Sequence, residues 1–310
     1  MSPVSAKNQQ MRYRPKKFTR HTKLSIKLHQ WLFTLFGNRF PRLMSWWALK
    51  LWSRTRRFPA SAREKRMQLR GSECSLTLNG NIIKGWQWGI QGPKVLLVHG
   101  WNGRGLQLNR FIDPLLNAGY QVVCFDAPAH GQTSGQATHL LEISDVIQTI
   151  CEQQGPFHAA IAHSFGVACL SAAIHNGASI PTIISISSPG GLSKLIQRYC
   201  AYMKIPNCAE QRLLERLERR VGKTLWKTFA DNYPLNENAY RSLVIHDKED
   251  QLVDWHESEQ LASCWPNAEL ILTEGLGHRR ILLDPFTVST VVSFIDTAIT
   301  CDPLDNKTDL

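Results

Sequence analysis

The segment Ala162-His163-Ser164-Phe165-Gly166 lies between an apolar run, Ala159-Ala160-Ile161, and a stretch rich in small residues, Ala168, Ala172 and Ala173. A serine at such a strand-to-helix turn stands exposed at the carboxyl edge of a sheet, where its hydroxyl can attack an acyl carbon. Its flanking residues must be small because strand and helix approach closely there. The usual pattern is G-x-S-x-G, and Ala162 replaces the first glycine, adding one methyl group in a tight corner. On its own the segment is equally compatible with a structural turn. Acyl transfer would also require preorganised N–H groups facing the developing oxyanion. One candidate is the backbone N–H of Phe165, at the helix start just after the serine. The other is that of Trp101, in the loop His99-Gly100-Trp101-Asn102-Gly103 that leaves the run Val95-Leu96-Leu97-Val98. Gly100 and Gly103 allow that loop to bend back toward the serine.

These loops need a sheet to hold them. From about residue 90, short β-branched runs alternate with helical patterns, which predicts a parallel sheet flanked by helices. The predicted strands are Lys94–His99, Gln121–Phe125, Ala159–Ala162, Thr182–Ile186, Ser242–Ile245 and Glu269–Leu272. Helices are expected near Leu106–Ala118, His139–Gln153, Phe165–Asn176, Trp255–Cys264 and Pro285–Thr297. Upstream, Cys74–Leu78 and Ile82–Gly89 alternate around Asn79-Gly80, as in an antiparallel hairpin leading into the sheet. More than fifty residues separate the strands at 182–186 and 242–245, too many for an ordinary connection. Helical periodicity over Leu192–Lys204 and Ala209–Phe229 predicts a small helical cap there, with a surface excursion of no role as the alternative.

Charge is distributed unevenly. Residues 1–70 hold 18 of the 36 Lys and Arg and a single acid, Glu64, while the remainder is mildly acidic, so the net charge of +11 belongs to an N-terminal arm. A basic arm is attracted to polyanions. Within it Leu24, Leu28, Trp31, Leu32 and Leu35 recur at helical spacing, with Lys23, Lys27 and Gln30 off the stripe, and Pro41 ends the pattern. A second stretch carries Trp46, Trp47, Leu51 and Trp52 with Lys50, Arg54, Arg56 and Arg57. Such a helix either packs its apolar face on the rest of the chain or on a partner, or lies in a membrane interface. Residues 20–57 are the candidate for peripheral membrane contact. Nothing beyond charge points to nucleic acid, and none is expected as a partner. The eight cysteines are scattered singly, without metal-ligand spacing, and read as reduced thiols of a cytoplasmic protein. The first 23 residues are basic and polar, which predicts no secretory signal, and no run reaches the length of a membrane span. The location expected is cytoplasmic, with peripheral attachment at the inner face of the membrane as an option.

The segments VLLVHGWNG, FDAPAHGQTSG, IAHSFGVA, VIHDKEDQLV and GLGHRRIL, in this order and spacing, resemble those of the α/β-hydrolase superfamily, most of all its compact bacterial serine-esterase branch with a short helical cap. The resemblance covers roughly residues 72–300. It implies a mostly parallel central sheet flanked by helices, an α/β-hydrolase domain over 71–310 with a cap insertion at about 190–240, and a separate arm over 1–70. It further implies a catalytic triad of Ser164, Asp250 and His278, in the family order of serine, acid and histidine. Asp250 matches the family acid because it stands three residues before a valine, Val253, with Asp247 and Glu249 as neighbouring alternatives. His278 would act as general base and then acid, and Asp250 would hold its tautomer. Trp101 and His163 are expected at the substrate, His99 and His163 otherwise in structural roles, and His130 and Asp126 as braces of their own turn. Arg279 and Arg280 would take a surface role or bind a substrate carboxylate. Serine rather than aspartate at residue 164 separates the chain from the family's dehalogenases and epoxide hydrolases, and implies an acyl-enzyme. The implied activity is hydrolysis of a carboxylic ester or thioester without cofactor or metal, with a rate that falls below about pH 6–7 as the imidazole base protonates. A catalytically silent scaffold, an acyltransferase or a C–C hydrolase are the alternatives. Cap aromatics Tyr199, Tyr202, Trp226 and Phe229 suggest an apolar acyl or alcohol group.

Overall fold

The computed structural model describes residues 20–299 apart from 79, 234, 236–240 and 266. The N-terminal arm forms three helices, α1 (Arg20–Phe36), α2 (Pro41–Trp52) and α3 (Ala62–Arg70). Pro41 opens α2, where its missing N–H costs nothing and its fixed φ is already helical. A capping box between Ser61 and Glu64 starts α3. After the short β1 (Ser72–Glu73), the hairpin of β2 (Leu76–Leu78) and β3 (Asn81–Ile83) makes a two-stranded sheet of its own. Asn79 of its expected turn lies outside the described residues. Gly80 follows at φ +76°, a conformation natural to glycine. The chain then enters the main sheet through β4 (Gly85–Trp88).

Six parallel strands form the body of that sheet: β5 (Lys94–Val98), β6 (Gln121–Phe125), β7 (Phe157–His163), β8 (Thr182–Ile186), β9 (Arg241–Asp247) and β10 (Ala268–Thr273). The eight-stranded order is β1-β4-β6-β5-β7-β8-β9-β10, with β1 and β4 antiparallel at one edge. Because side chains alternate across a strand, Leu96, Val98, Val123 and Ala160 pack on one face, while Val95, Leu97, Val122 and Ile161 pack on the other. The first face is covered by α5 (Leu140–Gln154) and α6 (Phe165–His175). The second is covered by α4 (Ile112–Asn117) and by the helix Pro285–Ile299 at the end of the described chain. Two covered faces explain the continuous apolar runs in the sequence.

Two helices expected as single pieces are broken. The expected helix Leu106–Ala118 is instead a 3-10 turn over Gly105–Leu108 followed by α4. Pro114 cannot donate a backbone hydrogen bond and would clash with the carbonyl four residues earlier, so the helix starts just before it. The cap comprises α7 (Leu192–Met203), α8 (Asn207–Val221) and α9 (Lys223–Phe229), and Gly222 at φ +92° divides the last two. α10 (Trp255–Cys264) follows β9.

The arm docks on the cap. Phe33 of α1 and Met44 and Ala48 of α2 form one apolar cluster with Ile196, Cys200, Leu213 and Leu217 of the cap. The stripe read from the sequence is not this interface: Leu24, Leu28, Trp31 and Leu35 are exposed, and Phe33, on the opposite side of α1, is fully buried. Burial fixes the expected energetics. Phe33→Ala should lower unfolding stability in urea by about 3 kcal/mol, whereas Leu28→Ala should change it by less than about 0.5 kcal/mol.

Candidate active site

Ser164, Asp250 and His278 sit at the carboxyl ends of β7, β9 and β10, where an open α/β sheet binds its ligands. Ser164 occupies the sharp bend between β7 and α6 at φ 54°, ψ −127°, a region that costs a non-glycine residue about 1–3 kcal/mol. Its own N–H, bonded to the carbonyl of Ile186 at 2.9 Å, helps to hold it there. The small neighbours are a steric necessity. A Cβ on Gly166 would lie 2.6 Å from the carbonyl oxygen of His99, and one on Gly100 would lie 3.0 Å from the Cβ of Ser164. The loop after β5 is therefore pressed against the serine turn. Ala162, the departure from the usual pattern, is fully buried within β7.

The structure joins the three side chains in one hydrogen-bonded chain. His278 Nε2 is 3.1 Å from Ser164 Oγ, and His278 Nδ1 is 2.7 Å from Asp250 Oδ2. An ionised carboxylate only accepts, so Nδ1 carries the hydrogen and Nε2 is left to accept the serine O–H. That is the tautomer a general base requires. The Asp250 side chain is inaccessible to solvent. Burial alone would raise its pKa, but hydrogen bonds from His246 and His278, with the backbone N–H of Leu252, hold it well below the usual carboxylate range. Its Oδ1 accepts from the N–H groups of Leu252 and Val253 at 2.8 and 3.1 Å.

Two supports of this chain were not assigned from the sequence. His246, fully buried in β9, places Nε2 3.2 Å from both Asp250 Oδ2 and the carbonyl of Val253, and Nδ1 2.6 Å from Ser258 Oγ. With two acceptors before it, Nε2 donates, and His246 is a second imidazole fastened to the acid. The signal for it is a histidine closing an apolar strand four residues before the acid. Asp247, an alternative for the acid, instead clamps the loop carrying His278. It accepts from the N–H groups of Glu249, Leu276 and Gly277 and from the Thr273 hydroxyl, at 2.8–3.0 Å. Burial would raise its pKa, but these bonds lower it. Glu249 is exposed. Arg280 bonds the carbonyls of Gly275 and Leu276 in its own loop, both at 2.7 Å.

Three further histidines, His99, His130 and His163, brace the loops around this site. His163 is buried and donates from Nε2 to the carbonyl of His278 at 2.9 Å. It thus steadies the loop that carries His278, with its ring 4.9 Å from the His278 ring. His99 donates to the carbonyl of Gly100 and accepts from the N–H of Ala127; His130 donates to the carbonyl of Pro128 and accepts from the N–H of Asn102. Asp126 ties the N–H groups of Gly105 and Gln132, locking the intervening loops together. Burial pushes His99 down to about 3 and His130 to about 4, and it holds His163 well below the usual imidazole range.

Trp101 stands beside the serine turn, edge-on to Phe165 at 5.4 Å between ring centroids. Its outer face stacks with Trp52 of the arm, at 6.5 Å and 15°. Trp52 in turn meets Tyr199 of the cap at 4.9 Å. Leu49 and Trp52 of the arm, Leu140, Phe165, Ile196 and Trp226 line a narrow, mostly apolar cavity of about 40 Å³, with His139 and Arg220 also on its wall. That volume is smaller than the roughly 300 Å³ a bound organic ligand takes. Of the cap aromatics noted in the sequence, only Trp226 lines this cavity, while Tyr202 is exposed and Phe229 belongs to the core. The contribution of the arm is invisible in sequence because nothing in residues 41–52 indicates which loop they cover. Among the described residues no group of three or more His, Cys, Asp or Glu is placed to hold a metal ion.

Comparison with known proteins adds family information. The alpha/beta hydrolase family profile matches residues 95–289. No curated protein sequence matches the chain. Similar solved structures include an esterase from Pyrococcus furiosus, 21% identical, TM-score 0.57, covering 78% of this chain and 98% of that one. A membrane phospholipase A described as a bacterial virulence factor is 15% identical, TM-score 0.57, covering 91% of this chain and 100% of that one. An esterase from Exiguobacterium antarcticum is 16% identical, TM-score 0.53, covering 70% and 97%.

The neutral histidines carry a pH dependence. The unfolded chain protonates each near pH 6.5, whereas the fold resists protonation until far lower. Their contribution is fully present above about pH 6.5 and is lost as pH falls toward 4. With His139, which burial likewise holds at about 4, urea midpoints measured between pH 7.5 and 4.5 should therefore decline, with a slope near pH 5 corresponding to about four extra protons bound on unfolding.

Proposed function

Since the chain belongs to the α/β-hydrolase family and is a hydrolase of that fold, we propose that it cleaves a carboxylic ester or thioester through an acyl-enzyme on Ser164. The observation that carries this reading is the 3.1 Å approach of His278 Nε2 to Ser164 Oγ, with Asp250 behind the same ring. His278 takes the Ser164 proton as Oγ bonds to the acyl carbon. The oxyanion that forms meets the N–H groups of Trp101 and Phe165. Phe165 is the first residue of α6, and its N–H has no partner within the helix. Collapse of the intermediate breaks the bond to the alcohol or thiol, which leaves with the proton from His278. Water, deprotonated by the same imidazole, then attacks the acyl-enzyme and releases the acid. Asp250 keeps its charge throughout and stabilises the imidazolium formed in both halves.

The apolar side chains that line most of the cavity beside Phe165 support an apolar acyl or alcohol group. The titles of several similar structures, which name esterases and a phospholipase, agree with an ester substrate.

A fluorophosphonate probe tests the reading directly. Native protein should be labelled at Ser164, and Ser164→Ala should lose both the label and at least about 10⁴-fold in kcat on short p-nitrophenyl esters. Folded protein that takes no label would overturn the proposal. His246→Gln should lower kcat about tenfold with KM little changed, because a hydrogen bond to a charged group is worth about 1.5–3 kcal/mol and this one supports the transition state rather than the substrate.

A further inference from the structure

The arm buries one side and presents another. While Phe33, Met44 and Ala48 face the cap, Leu24, Leu28, Trp31 and Leu35 on α1 and Leu43 and Trp46 on α2 are each about half exposed or more, between 49% and 67%. Single exposed apolar residues are ordinary, but a concentration of this size on one helical pair marks a contact surface. The stripe on α1 keeps strict helical spacing, so it is a designed face and not residue scatter.

The charges identify what covers it. Lys27, Arg39, Arg42 and Lys50 are exposed on the same pair, and neither helix contains an acid. Lys50 lies over the Trp46 ring at 5.2 Å and Arg39 over Phe40 at 6.0 Å, placing cations directly among the apolar rings. A second copy of this face would meet it with the same sign of charge, which disfavours self-association. A headgroup layer of anionic lipid offers apolar depth for Leu and Trp and negative charge for Lys and Arg at once. No helix of the described residues is long and apolar enough to cross a bilayer, so the pair would lie on the surface.

We propose that the outer face of α1 and α2 is a docking surface for anionic lipid bilayers, used while their inner face stays packed on the cap. The full chain should co-sediment with phosphatidylcholine vesicles containing phosphatidylglycerol, more weakly with phosphatidylcholine alone, and less as salt is raised. The double variant Trp31→Ser, Trp46→Ser should weaken binding at least tenfold. Lys27→Gln and Lys50→Gln should each weaken it about fivefold on the anionic vesicles. All four residues are exposed, so the variants should keep the far-ultraviolet dichroism and the fluorophosphonate labelling of the native protein. Failure of the native chain to bind either vesicle would overturn the proposal. So would equal binding by native and variant proteins, or a dimer in light scattering that Trp31→Ser, Trp46→Ser dissolves.

Discussion

The arrangement depends on one desolvated carboxylate. Asp250 is cut off from solvent, yet it keeps its charge because four donors converge on it: two imidazoles on one oxygen and two backbone N–H groups on the other. An ionised group in that position is costly unless every lone pair is engaged. Once it is engaged, the carboxylate dictates the tautomer of His278 and leaves Nε2 facing the Ser164 hydroxyl as an acceptor. Asp247, one turn earlier, holds the loop that delivers His278, so two neighbouring acids divide the work of charge and of placement.

The serine turn adds a second constraint, of shape. A strained φ at Ser164 is tolerated because the sheet grips it from both sides, through the carbonyl of Ile186 and the close approach of the 99–103 loop. Buried histidines serve this packing in their neutral form. His99 and His130 supply one donor and one acceptor each, and His163 a single donor from Nε2, without bringing a charge into the core. The same side-chain type therefore occurs in two settings: His278 is left partly open to solvent, while His99, His130 and His163 are buried.

Much of this was readable in the sequence, because strand burial leaves continuous apolar runs and a nucleophile turn requires small residues at set positions. The strands at Gln121–Phe125 and Thr182–Ile186 and the helix Trp255–Cys264 have the bounds expected. Periodicity failed where a backbone feature overrides it, as at Pro114 and Gly222. For the arm it left packing and membrane contact both open, and of the two apolar sides of α1 the sparse one, centred on Phe33, is the one buried. His246 and Trp52 could not be placed because their partners are brought together only by the three-dimensional fold. The hydrogen bond of His163 to the main chain of His278 is likewise a contact that only the fold creates.

The parallel pair Trp52 and Trp101 has an optical consequence. Two indoles stacked at 6.5 Å with planes 15° apart lie close enough for their excited states to mix. One ring belongs to the arm and the other to the loop beside Ser164, so any movement that parts the two elements also separates the chromophores. The chain thus carries an intrinsic spectroscopic gauge of the contact between arm and loop, readable by near-ultraviolet circular dichroism without an added label.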